Sequence, residues 1–121
     1  MNYKKKFGND GEEEAVSYLL KLGYLIKERQ FTVNQKIGEL DIIATKDNIV
    51  AFIEVKRRKT DHGISISEIV SVKKQNSIIK MALLYCQKNN MLLHDYVIRF
   101  DIIYVLGEKI EHYENAFSPK F

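Results

Sequence analysis

Cysteine and proline are almost missing from this chain, which has one of each, Cys86 and Pro119, in 121 residues. A lone cysteine excludes an intramolecular disulfide and fits a reducing compartment, so the expected location is cytoplasmic. With its proline held back to position 119, and with no repeat or low-complexity tract, the sequence has no recognisable linker. Its length allows one hydrophobic core and not two, so residues 1–121 read as a single domain. No apolar run approaches membrane length, and the start, Met1-Asn2-Tyr3-Lys4-Lys5-Lys6, has no apolar segment behind it; neither a membrane span nor a secretory leader is expected. His62, His94 and His112 are scattered without the spacing of a zinc site.

What the chain does have is a charged hairpin. Gly38-Glu39-Leu40-Asp41-Ile42-Ile43-Ala44 and Ile49-Val50-Ala51-Phe52-Ile53-Glu54-Val55-Lys56-Arg57-Arg58 are rich in Ile, Val and Phe, and Asp47-Asn48 between them is turn chemistry. Glu54 and Lys56 are two apart and share a strand face, as do Glu39 and Asp41. A two-residue turn pairs Lys46 with Ile49, which sets Asp41 opposite Glu54 and Glu39 opposite Lys56. Directly opposed Cβ atoms lie about 4.5–5.5 Å apart. Carboxylates at that range repel, and a shared proton or a cation relieves the repulsion. Hard ions such as Mg²⁺ take one or two protein carboxylates and leave their other positions to water and phosphate. An ammonium beside them can hold a phosphate oxygen or an attacking hydroxide. The pattern reads as a metal-dependent phosphodiesterase site, set against cross-strand ion pairs on a wet sheet face. Ile43, Val50 and Phe52 share the face with the acids, which argues against a wholly solvated one.

Around the hairpin the elements follow from periodicity. Ala15, Leu19 and Leu22, with Val16 and Leu20, mark a first helix over about 8–22, and Gly23 is its stop. Glu12 lies on or beside that apolar stripe, either as a first-turn acid favoured by the helix dipole or as something more. Tyr24-Leu25-Ile26 and Phe31-Thr32-Val33 read as a first strand interrupted by Lys27-Glu28-Arg29-Gln30. A second helix follows from Val72, Ile79, Leu83 and Cys86, joined by Ile78 and Ala82 and ending near Asn89-Asn90. Its N-cap is Ser71, or a capping box at Ser65-Ile66-Ser67-Glu68. Gln75 leans toward its packed face. Val97–Val105 is a late strand, with Gly107-Glu108 turning into Lys109–Tyr113; Arg99 and Asp101 form a structural ion pair, and Phe117 packs the tail onto the body. The fold class is therefore α/β, a mixed central β-sheet flanked by helices. The net charge of +3 is modest, but Lys4-Lys5-Lys6, Lys56-Arg57-Arg58-Lys59 and Lys73-Lys74 cluster. Such clusters attract phosphate backbones or merely solvate the surface.

Asp41, a spacer, then Glu54-Val55-Lys56 resembles the PD-(D/E)XK nuclease signature, with Glu39-Leu40 standing where that motif has its proline. The wider strings on both arms resemble the YraN-like family of small predicted endonucleases, distantly similar to archaeal Holliday junction resolvases. The likeness extends to Gly8-Asn9-Asp10-Gly11-Glu12, Val72-Lys73-Lys74-Gln75, Arg99-Phe100-Asp101 and Asn115-Ala116-Phe117. It implies a restriction-endonuclease-like core and an endonuclease cutting DNA, branched or junction DNA included, with Mg²⁺ or Mn²⁺ on Asp41 and Glu54. It further implies that Glu12 is a third carboxylate, that Lys56 is catalytic, and that Gln75, with Lys73, is directed toward the scissile phosphate. Arg57, Arg58, Lys59, Lys73 and Lys74 are the expected nucleic-acid contacts, and a homodimer follows by analogy with resolvases. The alternative is a DNA-binding module that keeps the nuclease fold without turnover.

Overall fold

The computed structural model describes residues 11–58 and 69–119. The lysines at 4–6, Lys59, His62 and the capping box at 65–68 fall outside them. In chain order the elements are α1 (Glu12–Lys21), β1 (Leu25–Phe31), β2 (Leu40–Lys46), β3 (Ile49–Arg58), α2 (Val72–Lys88), a single 3₁₀ turn (Leu93–Asp95), β4 (Val97–Leu106) and β5 (Lys109–Tyr113). The five strands lie in sequence order in one sheet. Three neighbouring pairs are antiparallel, and β3 and β4 run parallel because α2 sits in the crossover between them. This is the expected mixed sheet flanked by helices.

Strand parity divides the core into two layers. Ile42, Ala44, Ala51, Ile53 and Val55 pack with Ala15 and Leu19 of α1. Ile43, Val50 and Phe52 pack with Ile78, Met81 and Tyr85 of α2. The helices therefore cover opposite faces of the sheet. Replacing the fully buried Ile53 with Ala would cost about 2–5 kcal/mol, as large-to-small core changes do.

Three local outcomes differ from the sequence expectation. The first strand is not interrupted: β1 runs from Leu25 to Phe31, with the irregularity at Lys27 absorbed as a register shift between Ile26 and Glu28. In α2 the buried stripe is Ile78, Met81, Ala82, Tyr85 and Cys86, whereas Val72 and Leu83 are exposed. The helix is rotated from the phase the apolar spacing predicted. Finally, the helix over 8–22 is described only as Glu12–Lys21. Its predicted stop holds, with Gly23 at φ 96°, a left-handed conformation that costs glycine little. Ser71 caps α2 as expected, its side chain accepting from the Lys74 N–H at 3.1 Å.

Candidate active site

The hairpin turns at Asp47-Asn48, where Asp47 takes a φ of 54°. From there β2 and β3 pair in the expected register, Lys46 with Ile49 through to Ile42 with Ile53. Beyond that step the ladder stops, so neither expected pairing, Asp41 with Glu54 or Glu39 with Lys56, forms as a ladder pair. In its place Oδ2 of Asp41 accepts a hydrogen bond from the Val55 N–H at 2.8 Å. A side-chain oxygen thus satisfies an amide where the strands part, and that bond fixes the carboxyl beside Glu54.

Glu54 is buried and Asp41 is half-buried. Glu54 is 4% exposed, and its Oε1 has no hydrogen-bond donor among the described residues. Burial and the nearby Asp41 charge push the Glu54 carboxyl up to about 8. Burial also raises Asp41, against the pull of the Val55 amide and of a hydrogen bond with Glu54. The pair holds one proton more readily than two negative charges. Lys56 stands 3.7 Å from Oε2 of Glu54.

Glu12 arrives from the opposite layer. Gly11, at φ 84°, starts α1 so close to β4 that an added Cβ would meet Val105 at 2.7 Å. Only glycine fits there, and it seats Glu12, 2% exposed, on the buried stripe. The Glu12 charge is near enough to raise Asp41. Yet both of its oxygens are engaged: Arg29 Nε donates to Oε2 at 2.6 Å, and the Gln30 amide donates to Oε1. Among the described residues no group of three or more His, Cys, Asp or Glu side chains is gathered for a metal.

The remaining candidates divide. Gln75 donates to the Val70 carbonyl at 3.0 Å, so its amide steadies the entry to α2. Lys73 is exposed, and Lys74 is half-buried with Nζ 3.4 Å from the Glu39 carbonyl. Arg57 pairs with Glu14 of α1. Nothing is described of the Arg58 side chain, and Lys59 lies outside the described residues. The charged groups that converge are thus two carboxylates and Lys56, with Lys74 at the neighbouring Glu39 carbonyl. One buried, undonated carboxylate oxygen fits a hard divalent cation, which binds oxygen through one or two carboxylates.

A match to the uncharacterised protein family UPF0102 covers residues 11–105. The chain belongs to that family. It is 40% identical over 115 residues to the UPF0102 protein of Sulfurihydrogenibium sp., covering 95% of this chain and 96% of the relative. The UPF0102 protein of Thermodesulfovibrio yellowstonii is 43% identical over 112 residues, 93% of this chain and 96% of its own. That of Clostridioides difficile is 44% identical over 119 residues, 97% of this chain and 100% of its own.

The UPF0102 match includes the acid pair, both lysines and Glu12, but ends before β5. A second polar cluster, largely invisible to sequence spacing, reaches past that end. Asp101, fully buried, accepts from Arg99 at 2.8 Å, bonds His112 Nε2 at 2.8 Å and accepts from the Asn115 N–H at 2.9 Å. His112 Nδ1 meets the Tyr18 hydroxyl at 2.9 Å, a contact between residues 94 apart in sequence. Only the Arg99–Asp101 link was legible beforehand. Beside the acid pair, Tyr104 pairs with Lys56 in register, and its buried hydroxyl has no partner among the described residues.

Proposed function

We propose that this UPF0102 chain is a metal-dependent endonuclease of the PD-(D/E)XK type, hydrolysing phosphodiester bonds in DNA. The observation that carries the reading is that the Asp41 and Glu54 carboxyls lie side by side. A buried and a half-buried carboxyl are held on one face, both shifted toward the protonated form, with one oxygen undonated among the described residues and an ammonium 3.7 Å away. A fold gains no stability from such an arrangement, which is the signature of a group kept for chemistry.

In this reading Asp41 and Glu54 would hold Mg²⁺ or Mn²⁺, and the Val55 carbonyl would add a backbone oxygen. The ion, when bound, lowers the pKa of water and offsets charge gathering on the phosphate. Asp41 is oriented by the Val55 amide, so it enters the site with its rotamer fixed. Lys56 orients the attacking water or donates to a phosphate oxygen as negative charge builds there. Glu12 supports the rim by holding Arg29 and Gln30. Branched or junction DNA, of the kind met in repair and recombination, is the first substrate class to offer. The protein would work in the cytoplasm and, by analogy with resolvases, as a homodimer.

The test is a cleavage panel on branched, flapped and single-stranded DNA with Mg²⁺ or Mn²⁺, comparing the wild type with Asp41→Ala and Glu54→Ala. Metal-dependent cutting by the wild type alone supports the reading; equal cutting by all three exposes a contaminant. A second reading, a DNA-binding module without turnover, is favoured by the engagement of both Glu12 oxygens with Arg29 and Gln30. It expects salt-sensitive DNA binding that survives loss of Asp41, Glu54 and Lys56, with no cutting.

A further inference from the structure

Helix α2 brings a second ammonium to the acid pair. Ser71 sets its first turn, and the buried residues that follow include Ile78, Met81, Ala82 and Tyr85. Lys74 lies one turn ahead of Ile78 on that same stripe, so the helix carries it onto the sheet face shared by Ile43, Phe52, Asp41 and Glu54. Its Nζ is 3.4 Å from the Glu39 carbonyl, two residues before Asp41. The flanking polar residues are placed elsewhere, Lys73 in solvent and Gln75 on the Val70 carbonyl.

The donor set limits what this charge arrangement can hold. Two-ion phosphodiesterases place their ions about 3.5–4 Å apart and need carboxylates enough to bridge and balance both. Here Asp41 has one oxygen committed to the Val55 amide, and Glu12 has both oxygens committed. No third acid joins the pair among the described residues.

We propose that the site takes a single divalent cation and that the Lys74 ammonium occupies the place a second ion would need, facing a non-bridging oxygen of the phosphate. The phosphate contact rests on the nuclease reading above; the ion count does not. Three positive charges at the pair would then come from one ion and Lys74, besides Lys56 at 3.7 Å from Glu54.

The experiment is a Mn²⁺ titration of the full chain without nucleic acid, followed by electron paramagnetic resonance and calorimetry. One equivalent per chain is expected; two, or none, would overturn the proposal. Lys74→Met removes a positive charge beside the carboxylates, so Mn²⁺ should bind about tenfold tighter while kcat on branched DNA falls about a hundredfold. Lys74→Arg should restore the wild-type Mn²⁺ affinity and part of the rate. A lysine that merely props the Glu39 segment predicts the reverse, looser Mn²⁺ binding in Lys74→Met, and that result would also overturn it. The two readings fail separately. Two ions with metal-dependent cutting sinks the single-ion site alone. One ion, tightened by Lys74→Met, with no cutting by any form supports the ion count and removes the nuclease.

Discussion

Glu54 and Asp101 are buried acids on adjacent parallel strands, and the protein treats them in opposite ways. Asp101 pairs with Ile53 in register, one residue from Glu54, and faces the α1 layer, whereas Glu54 faces the α2 layer. Burial alone would raise Asp101, but bonds from His112, Arg99 and the Asn115 amide outweigh it and hold the carboxyl below its ordinary range. Glu54 has Lys56 at 3.7 Å, a second acid beside it and one oxygen without a donor among the described residues. The lesson is that burial does not mark a functional acid. What marks it is burial left uncompensated, because a fold can supply partners and here it supplied them one strand away.

The widest gap between the two acids should appear in activity. Asp41→Ala and Glu54→Ala are each expected to reduce metal-dependent cutting at least a hundredfold and to abolish Mn²⁺ uptake, while both proteins stay folded by circular dichroism. Asp101→Asn should reverse the pattern. Removing one partner of a buried, hydrogen-bonded ion pair costs about 3–5 kcal/mol, so its urea midpoint should fall sharply. At temperatures where it remains folded it should bind Mn²⁺ as the wild type does. Loss of Mn²⁺ binding in folded Asp101→Asn would mean that the two clusters are one system.

How far each cluster could be read beforehand depends on the range of its contacts. The acid pair was legible because a two-residue turn and strand parity fix the register, both within twenty residues of chain. The end of the ladder was not, since the Asp41–Val55 bond replaces a backbone pair that parity alone would continue. Spacing to Ile79 and Ala82 turns Gln75 toward the packed face, and leaves Lys74 among the expected nucleic-acid contacts. The observed phase, with Leu83 exposed and Met81 buried, moves the inward position back by one residue. Glu12 lay where its spacing put it, but its bonds to Arg29 and Gln30 cross 17 and 18 residues and depend on how β1 packs. The Tyr18–His112–Asp101 contacts join the start and end of the chain, and no local pattern announces them.

The pH dependence of stability sharpens the same contrast. Glu54 has an ordinary value of 4.5 and sits at about 8 in the folded protein. Its folded form binds a proton that the unfolded chain has lost, so its contribution is intact below 4.5, declines across that window and levels off above about 8. Asp101 has the opposite sign: lowered from 3.8, it stabilises above that pH and loses its contribution as pH falls through the folded value. Glu54→Gln, which mimics the protonated acid, should match the wild type near pH 5 and melt well above it near pH 9. Added Mg²⁺ should raise the wild-type melting temperature at pH 9 and leave Glu54→Gln unmoved. A wild-type curve flat from pH 5 to 9 would mean that Glu54 titrates like an exposed acid.

The smallest effect is expected at the rim, where acids of α1 hold the arginines. Glu14 pairs with Arg57 at the surface, and Glu13 takes a second bond from Arg29 at 2.9 Å. Exposed pairs of this kind contribute about 0.2–1 kcal/mol, so Glu14→Gln should change the melting temperature by no more than a few degrees. Its effect on DNA should be larger than its effect on folding. Freed of Glu14, the Arg57 guanidinium becomes available to phosphate, and the variant should bind duplex DNA several-fold more tightly, with a steeper loss of affinity as salt rises. Unchanged affinity and salt slope would show that Arg57 never faces nucleic acid. It would then belong with Asp101, a charge neutralised within the fold, and not with the acid pair that the sheet leaves partly unpaired.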